Sequence, residues 1–199
     1  MTGGDAATLA FYTSEAEAYA EYTTAEKRSP LVKEFGGMLP AGGAVLDFGC
    51  GSGWAARRFR EMGFSVLGFD GSAGLAAEAK RRYDIDVTVG RFEEFGDVDA
   101  YDGIWASFCL LHDSREALPG HLGRLFAALR PGGRIYIGLK EGEGRHRDSL
   151  GRLYTYFTQS EMQRLMEAAG FTGFTARTEP STGYDGEPAT SLHIYASRP

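Results

Sequence analysis

Five residues dominate the chemistry open to this chain: Asp47, the alternating glycines Gly49, Gly51 and Gly53, and Asp70. The glycines follow an apolar run, Ala44 to Phe48, and lead straight into Trp54-Ala55-Ala56. A strand that turns through glycine into a helix offers bare backbone and free helix N–H groups to a ligand, where any Cβ would obstruct approach. Asp47 can fix that turn or accept from a cationic ligand group. A second apolar run, Ser65 to Asp70, ends in a carboxylate at about the distance downstream at which α/β folds grip ribose hydroxyls. These signals predict nucleotide-cofactor contacts at Asp47, Phe48, Gly49, Cys50, Gly51, Gly53, Asp70 and Gly71.

The spacing separates cofactors. A dinucleotide fingerprint has its third glycine three residues after the second, but Gly51 and Gly53 are two apart and Trp54 fills the position that fingerprint gives to Gly or Ala. An acidic residue followed by Gly-x-Gly-x-Gly resembles the first motif of the class I S-adenosyl-L-methionine (SAM) dependent methyltransferases. The stop Leu129-Arg130-Pro131-Gly132-Gly133 resembles another segment of that family, and the likeness runs over nearly the whole chain. It implies a methyltransferase that uses SAM and releases S-adenosyl-L-homocysteine (SAH). For adenine the family often places an acid directly after the third strand. Arg91 stands there instead, which moves the expectation to Phe92 and Glu93. Ser107, at the end of the fourth strand, and Tyr12 and Tyr19, in the first helix, complete the expected cofactor contacts.

Amino-methylating enzymes of nucleic acid carry an Asn/Asp-Pro-Pro-aromatic motif after the fourth strand. This chain has Ala106-Ser107-Phe108-Cys109-Leu110-Leu111-His112 instead, and a net charge of −6 without a basic stripe. A small-molecule acceptor is expected, with no nucleic acid. His112, just past that strand, is the candidate base, since an imidazole takes a proton near neutral pH. Arg145, His146 and Tyr154, in the segment after the fifth strand, are the candidate substrate residues. The segment from Glu141 through Leu153-Tyr154-Thr155-Tyr156 resembles a subgroup of small bacterial methyltransferases, including those described as tellurite-resistance-like.

The elements that must position these residues alternate. Strands at Ala44 to Phe48, Ser65 to Asp70, Asp86 to Val89, Tyr101 to Ser107 and Arg134 to Lys140 are separated by helices at Trp54 to Met62, Ser72 to Tyr83 and over Leu118 to Leu129, and a further helix is capped by Thr158. Phe171 to Glu179 and Ser191 to Ala196 form a terminal antiparallel hairpin. The expected fold is α/β: a Rossmann-like, doubly wound seven-stranded sheet, mostly parallel, with helices on both faces. Residues 1–199 form one domain, with an N-terminal helical lid over 1–40 and an α/β core over 41–199. In such sheets ligands sit beyond the carboxyl ends of the strands, so the lid and the stretch from Glu141 to Tyr156 should close the acceptor pocket.

At 43% hydrophobic and 24% charged, the composition is that of a globular protein. No run is long enough to span a membrane, and no basic and apolar leader opens the chain, which points to the cytoplasm. Cys50 and Cys109 have no metal-ligand spacing, so neither disulfide nor metal is expected. Two alternatives remain: an NAD(P)-dependent oxidoreductase, and a SAM-binding module without turnover. Tyr136-x-x-x-Lys140 has the spacing of a short-chain dehydrogenase pair, but that pair shares a face only on a helix and here lies in a strand pattern.

Overall fold

A computed structural model describes residues 5–23 and 29–199. The chain begins with helices α1 (Ala6–Ser14), α2 (Ala16–Thr23) and α3 (Ser29–Gly36), then alternates β1 (Ala44–Phe48), α4 (Trp54–Glu61), β2 (Ser65–Asp70), α5 (Ala73–Tyr83) and β3 (Val87–Val89). It continues with β4 (Tyr101–Ser107), α6 (Leu118–Ala128), β5 (Leu129–Lys140), β6 (Arg145–Arg147), β7 (Leu153–Thr155), α7 (Gln159–Ala168), β8 (Thr172–Thr182) and β9 (Pro188–Ser197). The main sheet runs β3-β2-β1-β4-β5-β9-β8, with β1 to β5 parallel and β8 and β9 antiparallel. This is the expected seven-stranded fold. The strand order reverses between β1 and β4, which opens a crevice at their carboxyl ends.

Alternation along the central strands feeds two cores. Leu46, Ile104, Ile135 and Ile137 face one side with Leu122 and Leu125 of α6 and Met162 of α7. Val45, Trp105 and Tyr136 face the other, against Phe59 of α4 and Leu31, Val32 and Phe35 of α3. Each such side chain contributes roughly 1.5–3 kcal/mol by leaving water, and a shift by one residue would exchange the faces.

Three expectations change in detail. The N-terminal stretch divides: among the described residues α3 packs on the sheet, while α1 and α2 line the rim. Residues 1–4 and 24–28 of the expected lid lie outside the described residues. The α6 helix stops at Ala128 because Leu129 already pairs with Tyr101, so β5 begins five residues before the expected Arg134. The charged stretch after β5 contains strand β6, which pairs antiparallel with β7, Arg145 opposite Thr155 and Arg147 opposite Leu153.

Candidate active site

The three glycines after β1 have different duties, although all take positive φ: +67°, +54° and +75°. A Cβ on Gly49 would lie 2.2 Å from that of Cys109, and one on Gly53 2.9 Å from that of Ala79. These two are small because protein packs against them. A Cβ on Gly51 would meet nothing nearer than Leu75 Cδ1 at 3.9 Å, so Gly51 faces open space. The turn is tied to β2 by the Gly49 and Cys50 N–H groups, which donate to the Phe69 carbonyl at 2.7 and 3.1 Å.

Two carboxylates brace this turn. Asp47 accepts from the Ala56 N–H at 2.9 Å, in the first turn of α4. Burial pushes its carboxyl up to about 8, with the Ala56 N–H opposing and the Asp70 charge adding to the rise. Asp70 accepts from the Gly51 N–H at 2.7 Å with one oxygen and from the Ser72 N–H at 2.8 Å with the other. It is therefore a strut of the glycine turn and also a wall of the cavity, and its oxygens retain further acceptor capacity. Burial raises its pKa against those N–H groups. Ser72 caps α5, its hydroxyl accepting from the Leu75 N–H at 3.2 Å.

The crevice holds a cavity of about 840 Å³ counted out into the open solvent at its mouth. Gly49, Gly51, Asp70, Gly71, Leu75, Gly90, Arg91 and Phe92 form one wall; Ser107, Phe108, Cys109, His112 and Asp113 form another; Asp5, Thr8, Leu9, Tyr12 and Tyr19 form the cover. A smaller cavity adjoins it, walled by Asp47, Cys50, Ser52, Trp54, Trp105 and Thr23 and sharing Tyr19, Gly49, Gly51 and Ser107 with the first. The Ser107 hydroxyl and the Trp105 indole N–H are buried there with no hydrogen-bond partner among the described residues. Orphaned polar atoms at a cavity wall fit a polar ligand.

Six expected residues stand elsewhere. Phe48 points into the core, stacked on Phe69 at 5.5 Å, because the alternation of β1 turns it away from the rim. Gly53 is filled by α5, as noted. Glu93 is rotated off the wall by the short 3₁₀ turn Phe92–Glu94, and its Oε1 lies 3.6 Å from Arg91. The wall is instead made by Phe92 and by Arg91, the residue that broke the family pattern. Arg145 and His146 are exposed on β6, and His146 stacks on Tyr156 at 4.9 Å. Tyr154 is buried one layer behind the wall, its ring 4.7 Å from that of His112.

His112 does reach the cavity. Its Nδ1 lies 2.7 Å from the Leu153 carbonyl and its Nε2 2.9 Å from the Tyr12 hydroxyl. Burial pulls the imidazole down to about 4; the Leu153 carbonyl opposes that, and the Arg152 charge adds to it. Behind this pair is a feature that sequence reasoning missed. Arg152, 1% exposed, donates to the Asp148 carboxylate at 2.8 and 2.5 Å and to the Tyr12 oxygen at 3.0 Å. Its guanidinium lies 5.2 to 5.7 Å from the ring centres of Phe11, Tyr12, Tyr154 and Tyr184. An arginine after Gly151 in a charged stretch reads as solvated. The one available signal was the i, i+4 spacing from Asp148, weak outside a helix. Phe108, φ +57°, is a further missed wall residue in a strained conformation; a Cβ on Gly138 would come within 3.0 Å of its ring.

Fold and crevice together define a class: a doubly wound α/β domain with a nucleoside-cofactor site at the β1/β4 switch point. A family model described as "Methyltransferase domain" matches residues 19–175. The chain is similar to the 1,6-didemethyltoxoflavin-N1-methyltransferase of Burkholderia thailandensis, solved with 1,6-didemethyltoxoflavin and SAH: 26% identity, TM-score 0.78, covering 97% of this chain and 88% of that one. Curated relatives include a malonyl-[acyl-carrier protein] O-methyltransferase of Pectobacterium atrosepticum, 33% identical over 49% of this chain and 40% of that protein. Another is a probable S-adenosylmethionine-dependent methyltransferase of Mycolicibacterium smegmatis, 29% identical over 66% of this chain and 52% of that protein. The matches thus span about half or less of the curated relatives' lengths. The chain belongs to the methyltransferase-domain family, class I SAM-dependent methyltransferases. Among the described residues, no helix is long and apolar enough to cross a membrane.

Proposed function

We propose that this protein transfers a methyl group from SAM to a small-molecule acceptor. The observation that carries the reading is the pair of adjoining cavities that share Tyr19, Gly49, Gly51 and Ser107. A ligand made of a nucleoside and an amino acid, joined at one atom, matches two unequal cavities joined at one neck. Asp70 offers acceptors to the ribose hydroxyls, while Leu75, Phe92 and Arg91 flank adenine. Asp47 and the orphaned Ser107 and Trp105 groups face the amino-acid end.

SAM supplies an electrophilic methyl on a sulfonium, so the residues need chiefly to align an acceptor and exclude water. Tyr12 and Tyr19, from α1 and α2, act as that cover, and the β6–β7 pair supports it from outside. Support for a small acceptor comes from the aromatic side chains that line the cavity and from the small molecule bound in the Burkholderia enzyme. The acidic balance speaks against nucleic acid, and the free, buried Cys50 and Cys109 suit the cytoplasm. Isothermal calorimetry is the test: SAH should bind and NAD(H) should not. Heat with NAD(H) alone would overturn the reading.

A further inference from the structure

The acceptor side of the cavity contains a directed chain of hydrogen bonds. A carbonyl can only accept, so the Leu153 carbonyl at 2.7 Å fixes the His112 proton on Nδ1. Nε2 is left as a lone pair. An arginine can only donate, so Arg152 at 3.0 Å takes one acceptor position of the Tyr12 oxygen. The Tyr12 proton must then point at His112 Nε2, 2.9 Å away. One acceptor position on the Tyr12 oxygen remains, and both Tyr12 and His112 line the cavity.

We propose, building on the methyltransferase reading, that the acceptor is a protic nitrogen or oxygen nucleophile whose proton leaves through Tyr12 to His112. The acceptor's lone pair forms the bond to the methyl carbon while the carbon–sulfur pair stays on sulfur. The acceptor's N–H or O–H proton joins the Tyr12 oxygen as the Tyr12 proton passes to Nε2. The pair from the broken N–H or O–H bond stays on the acceptor. One positive charge is lost at sulfur and one appears on the imidazole, so the buried site keeps its net charge through the step. That conservation answers the burial that otherwise keeps His112 neutral. The charged and titratable groups around the ring are Tyr12 on α1, Asp148 and Arg152 before β7, Tyr154 on β7 and Lys140 on β5. Arg152 fixes the direction of the chain and is a positioning residue.

The test uses the full chain labelled with ¹⁵N-histidine, with and without SAH. His112 should be neutral with its proton on Nδ1 across pH 6 to 8, and Tyr12→Phe should move the Nε2 resonance toward that of an unbonded ring nitrogen while Nδ1–H persists. A proton on Nε2, or a spectrum unchanged by Tyr12→Phe, overturns the inference. The ring can be read without cofactor, so failure of SAH to bind removes the methyltransferase reading separately. With SAM, a panel of N–H heteroaromatics, phenols and thiols then tests the class. SAH release from N–H or O–H members, slowed about 10²-fold in Tyr12→Phe and His112→Gln, supports it; release from thiols only, or rates indifferent to both variants, overturns it.

Discussion

The two sides of the cavity are built in opposite ways. On the cofactor side, Asp47 through Asp70 lie within one βαβ unit, and the contacts are backbone N–H groups clamped by two carboxylates. On the acceptor side, Tyr12, His112, Asp148 and Arg152 come from segments as far as 140 residues apart and are joined across that distance by side chains. A site built from local backbone is coded compactly and varies little in shape. One built from distant side chains can be altered residue by residue, which suits a face that selects among acceptors.

Charge removal on the acceptor side should have the largest effect. Arg152→Met leaves Asp148 buried without its partner and should lower stability by about 3–5 kcal/mol. Adding Asp148→Asn should restore part of the loss in urea denaturation. Equal losses in the single and double variants would show that the ion pair is not what the acceptor side rests on.

The glycine turn divides within itself. Gly49→Ala drives a Cβ into Cys109 at positive φ and should cost about 2–4 kcal/mol of stability. Gly51→Ala meets open space but still places a Cβ at φ +54°, so it should cost only backbone strain of about 1–2 kcal/mol, melt a few degrees below the parent, and lose SAH affinity in calorimetry. Equal melting temperatures for the two variants would contradict this division of duties.

Asp70→Ala should weaken SAH binding by about 1.5–3 kcal/mol and, because the part-buried Gly51 N–H and the buried Ser72 N–H lose their acceptor, also lower the melting temperature. A variant with normal affinity would leave Asp70 as a brace only.

The smallest effect is in pH, and the two sides differ in sign. His112 is lowered to about 4 in the fold, so the unfolded chain binds more protons below about 6.5; its share of stability is present above that and lost as pH falls toward 4. Asp47 is raised to about 8, so its share is present below about 4 and lost as pH rises toward 8. Between about pH 4 and 6.5 the two slopes oppose, so His112→Gln should remove about 1–3 kcal/mol of rise with pH over that window, and Asp47→Asn should remove a fall with pH across about 4 to 8. A fall removed by His112→Gln, or a rise removed by Asp47→Asn, would reverse the assignment of charge to the two sides.

The sequence alone determined the α/β alternation, the cofactor turn and the hairpin, because each is written in local periodicity or in glycine and carboxylate spacing within one βαβ unit. It placed β1, β2 and β4 to the residue, since alternation and burial agree there. Only the tertiary structure decided that a side chain on Gly49 or Gly53 would strike protein while one on Gly51 would meet open space, since all three read alike in sequence. Only it separated α3 from the cover, turned Arg145 and His146 outward on β6, and buried Arg152 against Asp148 beside Tyr12. The physical reason is common to these cases: whether a polar side chain is solvated or paired depends on which distant segment lies over it, and no spacing along the chain records that.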